Sequence, residues 1–258
     1  MQRIITRYNN GKLGATVEHG DAVKISRDAD TSNRHGVLRA DILDANIQQL
    51  KLSYKEKLEL HLVAAKRKPA AMFMVDNTLE ASCKIRDSLL EFGFDVMLQN
   101  SIDIRFADIF VALDRRTCEL AAFYSNKRDI LNLGLSLGYP INAIKSYIDR
   151  VNLGVGPYIY TIHSYLDGMA SGAKLHDAIA YSSHIPETVS VSNGIVTIDT
   201  ESMELAKCNR AYAKNVSKEI LLQLQEIFRT ELDKYAEMYH ENVRVDLKDE
   251  HYIMKPLH

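Results

Sequence analysis

The sequence predicts an α+β or α/β fold in which a small mixed sheet around residues 70–113 precedes a largely helical portion. The continuous apolar run Ala70–Val75 is typical of a strand that is buried on both faces. Helical periodicity dominates the chain after residue 113, and the periodic stretch 201–242 contains neither Pro nor Gly. We therefore expect a sheet, a helical body and a long C-terminal helix.

Composition and charge favour one globular domain. The chain has 258 residues, of which 46% are hydrophobic and 26% charged. A net charge of -2 provides no overall field for nucleic acid, so we expect no nucleic-acid partner. The basic run 66–68 is interpreted as a solvated helix end.

Cysteine content and hydropathy indicate the cellular compartment of the protein. Three scattered cysteines without a C-x-x-C pair disfavour a thiolate zinc site and suit a reducing compartment. The N-terminus lacks an apolar signal region, and no run reaches the roughly 18 apolar residues of a membrane span. We predict a cytoplasmic protein without a membrane partner.

The single domain is expected to divide into four segments. Residues 1–36 form an extended and loop segment, in which Asn9-Asn10-Gly11 is a turn between two short strands. Residues 37–200 form the core, where Ser53 and Glu56 match a capping box at the start of the second helix. Residues 201–242 form the long helix and 243–258 a tail.

A β-α-β pattern follows the second helix. Strands are predicted over 70–75, 94–98 and 102–113, with a helix ending near Glu91 between the first two. Asp76 follows the first strand, and Asp114 and Arg115 follow the third. Since ligands of open α/β sheets bind beyond the carboxyl ends of the strands, these three residues are candidate substrate-binding residues. The alternative is that both aspartates cap helices.

The helical portion has two conspicuous turns and one long element. Gly138-Tyr139-Pro140 forms a corner between two helices, and Tyr139 and Tyr158 are candidate pocket-lining residues. Asn193-Gly194 between β-branched residues predicts a hairpin over 189–198. A helix over 201–242 would be about 60 Å long, so we expect a break near Asn209 or a homo-oligomer, a homodimer in the simplest case.

Three histidines lie close together in the chain and suggest chemistry. His163, the pair His176-Asp177 and His184 are candidates to converge, either as metal ligands or around a general base. Polar residues at helix ends are the alternative, and we assign no metal. Glu187 follows His184-Ile185-Pro186 as a second candidate acid or base, or as part of a plain turn.

Several familiar signatures are absent from the chain. It contains no G-x-x-x-x-G-K phosphate loop, no G-x-G-x-x-G after a strand and no G-x-S-x-G elbow. ATPase, nicotinamide-dependent and serine hydrolase functions are therefore unsupported, and we expect no organic cofactor.

The segment 133–140, with Leu133, Gly134, Leu135 and Leu137 before Gly-Tyr-Pro, and the later His184-Ile185-Pro186 resemble an uncharacterised prokaryotic domain family. In that family, paired cysteines follow Gly-Tyr-Pro and a further cysteine follows His-x-Pro. This chain has Asn142 and Ala143 near the first positions and Glu187 at the second. The resemblance covers about 109–216 and implies the corner and the histidine loop, but no reaction and no thiol role here.

Two functions are compatible with these residues. The first is a cofactor-independent enzyme of hydrolase or lyase type that acts on a polar small molecule, as in a biosynthetic tailoring step. His184, His176, Asp177 and Glu187 would be its catalytic residues. Its substrate-binding residues would be Asp76, Asp114, Arg115, Tyr139, Tyr158 and His163. The second is a non-enzymatic binding or assembly protein that oligomerises through its long C-terminal helix.

Overall fold

A computed structural model describes residues 3–9, 12–18, 40–101, 103 and 105–246. The chain divides into two units, Met1–Gly36 and Val37–His258. The first contains strands β1 (Arg3–Asn9) and β2 (Lys12–Glu18), which pair antiparallel with Arg3 opposite Glu18. The two strands that flank the predicted turn are thereby confirmed. The predicted tail from residue 247 onward lies outside the described residues.

The second unit begins with two helices, α1 (Ala40–Gln49) and α2 (Tyr54–Ala64). The predicted capping box is present. The Glu56 main-chain N–H donates to the Ser53 hydroxyl over 3.3 Å, and the Ser53 main-chain N–H donates to the Glu56 carboxylate over 2.7 Å. These bonds satisfy donors that a helix start leaves without partners. The start of α2 is thus fixed by its own sequence.

The main sheet contains β3 (Ala70–Asp76), β4 (Asp95–Asn100) and β5 (Phe106–Ala112), in the order β3-β5-β4. Helix α3 (Leu79–Glu91) connects β3 to β4, as the β-α-β pattern predicts. Both pairings are antiparallel, since Ala112 lies opposite Ala70 on one side and opposite Asp95 on the other. The mixed pairing predicted for this sheet is therefore corrected: β5 inserts between two strands that are parallel to each other. It also begins at Phe106, later than predicted.

Four helices follow the sheet: α4 (Arg115–Lys127), α5 (Ile130–Ser136), α6 (Ile141–Asn152) and α7 (Pro157–Ala170). A second sheet has the order β6-β8-β7, with β6 (Lys174–Leu175), β7 (Val189–Ser192) and β8 (Ile195–Ile198). Its pairing is mixed, and a 3-10 helix lies at Asp177–Tyr181. Asn193 and Gly194 both adopt positive φ, as the predicted hairpin requires.

The C-terminal stretch forms two helices, α8 (Thr200–Val216) and α9 (Lys218–Asp246). The break is at Ser217, whose backbone is extended with φ -146°, and not near Asn209 as predicted. Helix α9 packs against α2 and α7 of the same chain and buries Ile220, Leu224 and Leu232. Much of its apolar face is therefore covered without a partner.

The structure confirms an α+β fold with a helical body and a long C-terminal helix. In the part of the chain that the structure describes, no helix combines the length and the apolarity that a membrane crossing needs.

Candidate functional site

A cavity of about 540 Å³ lies among α5, α6, α7, α9 and the segment that follows the 3-10 helix. Its size falls within the range of small-molecule pockets, roughly 300 to 1,000 Å³. Most of its wall is aliphatic or aromatic, and a smaller number of polar side chains also face it. The apolar wall includes Leu133, Leu137, Ile144, Tyr147, Ile162, Tyr165, Ile179, Leu224 and Phe228.

The Gly-Tyr-Pro corner shapes one end of this cavity. Gly138 has φ +77°, and a Cβ at this position would lie 2.6 Å from Cδ of Pro69. Only a residue without a side chain fits both the backbone conformation and the close approach. Pro140 then precedes the first turn of α6. The corner brings Tyr139 onto Lys68, whose Nζ lies 4.6 Å from the centre of the tyrosine ring.

Lys68 is part of a buried charged pair behind Tyr139. Its side chain is only 6% exposed and donates to the carboxylate of Glu59, which comes from α2, while its ammonium lies over the Tyr139 ring. Burial by itself would lower the pKa of Lys68, but Glu59 and Tyr139 hold this pKa above its usual value, so the ammonium stays charged. The sequence-based interpretation of residues 66–68 as a solvated helix end is therefore wrong for Lys68, although Lys66 and Arg67 are exposed.

His184 faces the same end of the cavity. Its ring centre lies 5.6 Å from that of Tyr139, and its Nε2 lies 2.8 Å from the hydroxyl oxygen of Ser202 at the start of α8. Burial, with a further effect of Lys68 and Lys55, lowers the pKa of His184 to about 4. The imidazole is therefore neutral at pH 7, and its contacts with Ser202 and with the Tyr139 ring hold it in place.

The loop that carries His184 is fixed from two sides. Arg150 of α6 donates to the main-chain oxygen of Glu187 over 2.6 Å and to that of Pro186 over 3.3 Å. Across the loop, the Asp199 carboxylate accepts from the Glu187 main-chain N–H over 2.9 Å. Sequence reasoning missed Arg150, because its acceptors are main-chain atoms more than thirty residues away and leave no pattern in the chain.

A third polar contact lies at the α7–α9 side of the cavity. The Tyr158 hydroxyl lies beside the Glu231 carboxylate, and burial together with this carboxylate raises the pKa of Tyr158. Tyr158 also contacts Tyr235 edge to face, with ring centres 6.3 Å apart. Tyr158 and Ile227 line the cavity and yet are 37% and 46% exposed, which places an opening of the cavity here.

Three of the predicted site residues line this cavity: Tyr139, Tyr158 and His184. The other predicted catalytic residues lie elsewhere. His176 caps the 3-10 helix, its Nδ1 accepting from the Ala178 main-chain N–H over 3.1 Å. Asp177 is exposed and lies 3.6 Å from Arg210, while Glu187 is bound through its main chain. His163 lies on α7 and is not a wall residue.

The predicted residues at the main sheet do not share one edge. Asp76 lies opposite Phe106 and Ala70 lies opposite Ala112, so Asp76 and Asp114 lie at opposite ends of β3 and β5. The interpretation that places both residues at one ligand-binding edge of the sheet is corrected, because it assumed parallel strands. Asp114 caps α4 by accepting from the Thr117 main-chain N–H over 2.9 Å. Arg115 pairs with Glu119 one turn along the same helix.

The predicted convergence of His163, His176 and His184 is not found. Within residues 40–101, 103 and 105–246, no three His, Cys, Asp or Glu side chains come together as metal ligands would. The three cysteines are not paired in disulfides, and Cys118 is buried.

No family model, curated protein or solved structure matches the chain. The resemblance based on Gly138-Tyr139-Pro140 and His184 therefore stays a prediction.

Proposed function

We propose that this protein binds a predominantly apolar small molecule in the cavity between α5, α6, α7 and α9. The observation that carries the proposal is the space itself, about 540 Å³ bounded mainly by aliphatic and aromatic side chains. Interiors of folded proteins are close-packed, and empty space lined by apolar groups destabilises the fold. A cavity of this size is explained most simply by an occupant that fills it.

The surroundings of the cavity support a preformed site. Arg150 and Asp199 hold the loop 182–188 from opposite sides, and the corner at Gly138 is wedged against Pro69. A site that needs little rearrangement loses little affinity to ordering its own side chains. This favours binding as a function in its own right.

The residues of the cavity wall change the ligand polarity that is expected from the sequence. A polar small molecule is expected from the sequence, but only a minority of the wall is polar, including the side chains of Lys55, Thr161, His184 and Glu231. Each can orient one polar group of the ligand, while the remaining surface favours apolar contact. We therefore propose an apolar body with a small polar part.

Binding is tested with N-phenyl-1-naphthylamine, an uncharged probe whose fluorescence rises in apolar surroundings. We expect saturable binding to the wild type and at least about tenfold weaker binding to Ala143→Phe, in which the larger side chain occupies the cavity. Asn142→Phe, on the exposed side of α6, is the matched control and is expected to bind like the wild type. Equal binding by Ala143→Phe, with its circular dichroism unchanged, would show that the cavity is not the site.

Acid–base catalysis is the second candidate, because neutral His184 faces the cavity beside Tyr139. Its lowered pKa makes it a weak base at neutral pH, which is why binding is proposed first. Turnover of p-nitrophenyl esters of medium chain length, lost in His184→Gln while probe binding is kept, would support hydrolysis. No turnover above the uncatalysed rate would remove this reaction from consideration.

Assembly through the C-terminal helix stays a prediction. The exposed apolar side chains of α9 in its described part, Leu222, Ile227 and Met238, are scattered, and Ile227 belongs to the cavity wall. Light scattering with size-exclusion chromatography measures the oligomeric state, and a monomer at every concentration would contradict a homo-oligomer.

A further inference from the structure

Lys55 places a positive charge on the cavity wall. It belongs to the first turn of α2, lines the cavity and is exposed. Among the residues that the structure describes, no hydrogen bond or ion pair is made by its ammonium, although its charge is felt at His184. The neighbouring cation Lys68, in contrast, is already matched by Glu59. The ammonium of Lys55 is therefore free to pair with an anionic group of a ligand.

The negative charge on the wall lies at the far end. The Tyr54 hydroxyl donates to Glu219 over 2.6 Å, which places the start of α2 beside the start of α9. Glu231 lies twelve residues further along α9, about 18 Å at 1.5 Å per residue. The cavity is thus polarised, with Lys55 near one end and the Tyr158–Glu231 pair near the other.

Neutral hydrogen-bond donors accompany Lys55. The Ser202 hydroxyl oxygen lies 2.8 Å from His184 Nε2. If Ser202 donates there, the neutral ring carries its proton on Nδ1, on the side of Ser183, whose oxygen lies 3.5 Å away. Ser183 also lines the cavity. An ammonium, an imidazole N–H and a hydroxyl are then available at one end of an apolar space.

We infer that the ligand is an amphipathic monocarboxylate, whose acid group binds at Lys55, His184 and Ser183 and whose apolar body extends along the Leu133–Ile144–Ile162 wall. The inference rests on the proposed function and adds the charge and orientation of the ligand. One ammonium with neutral donors suits a monoanion. Phosphate is more often held by Arg forks, and no Arg lies among the described wall residues.

Displacement of the bound naphthylamine probe tests the charge of the ligand. The competitors are decanoate, decanol and decylammonium, which share a chain and differ in the head group. At pH 7.5 and low salt we expect decanoate to displace the probe at about tenfold lower concentration than decanol, with decylammonium the weakest. Decanol equal to or better than decanoate would overturn the inference while leaving the proposed function intact.

Two lysine variants locate the acid group. In Lys55→Gln the preference for decanoate over decanol is expected to fall to about twofold or less, since the charge is gone. Lys145→Gln, an exposed lysine on α6 outside the cavity wall, should keep the full preference. A preference that persists in Lys55→Gln would show that the acid group binds elsewhere. Failure of probe and all three competitors to bind would instead reject the proposed function, and the inference with it.

Discussion

Two regions of the molecule differ in how closely they are packed: the core beside α1–α3 and the cavity among α5, α6, α7 and α9. Between the main sheet and α1–α3, the core is filled, with Ile47, Leu60, Leu89, Phe94 and Ile109 all inaccessible to solvent. Between α5, α6, α7 and α9, apolar side chains surround open space, and buried charge supports the wall. A region that only maintains the fold gains from close packing. The cavity region, which contains open space and buried polar groups, contributes less to stability and provides room for a ligand.

The largest effect is expected at the buried pair that supports the cavity wall. Lys68→Met leaves the Glu59 carboxylate buried without a cation and should lower the free energy of unfolding by about 3–5 kcal/mol. The double variant Lys68→Met/Glu59→Leu should recover most of that loss, because no lone charge remains. Urea denaturation of the wild type, the single variant and the double variant measures the loss and its recovery. A double variant as unstable as the single one would contradict this explanation.

The difference in packing predicts a difference in sensitivity to truncation. Leu89→Ala in the filled core should cost about 3–4 kcal/mol, the sum of lost burial and a new void. Leu133→Ala, at the half-buried cavity wall, should cost about 1–2 kcal/mol because its surroundings are already incompletely packed. Urea denaturation measures the loss of unfolding free energy in each of the two variants. Equal costs would mean that the two regions are packed alike and that the cavity is closed in solution.

A smaller effect is expected from pH. The folded protein keeps His184 neutral down to about pH 4, whereas the unfolded chain binds a proton below its usual pKa near 6.5. The contribution of His184 to the free energy of unfolding is therefore fully present above pH 6.5. It falls by about 2–3 kcal/mol as the pH is lowered toward 4. His61 is also buried with a lowered pKa and acts in the same direction.

His184→Gln isolates this contribution. The variant should lose less stability than the wild type between pH 6.5 and 4, since carboxylates and His61 contribute equally in both proteins. Parallel curves of unfolding free energy against pH would show that His184 titrates alike in the folded and unfolded states.

Features set by adjacent residues could be predicted from the sequence. The Ser53–Glu56 capping box, the Asn193-Gly194 hairpin and the Gly138 corner each depend on a few neighbouring side chains and backbone angles. The break at Ser217 was not predicted, because a Ser within a helical pattern is also compatible with an unbroken helix. In the structure Ser217 caps α9, its hydroxyl accepting from the Ile220 main-chain N–H over 3.4 Å.

The cavity could be predicted only in part. Tyr139, Tyr158 and His184 were nominated for their chemistry, and they do line one space. Arg150, Lys68 and Glu59 were not, since their roles depend on partners that the fold brings together from distant positions. The error at Asp76 and Asp114 has the same origin, because the direction of β5 is decided by pairing across the sheet.

The anchoring of the loop 182–188 has a consequence for how ligand preference can change. Arg150 and Ser146 donate to main-chain oxygens, and Asp199 accepts from a main-chain N–H. Main-chain contacts therefore set the path of the loop. This path does not depend on the side chains at the positions of Ser183 and Ile185, which line the cavity. These two positions can be exchanged to suit another molecule while the support stays the same, which makes them the natural starting point for redesigning selectivity.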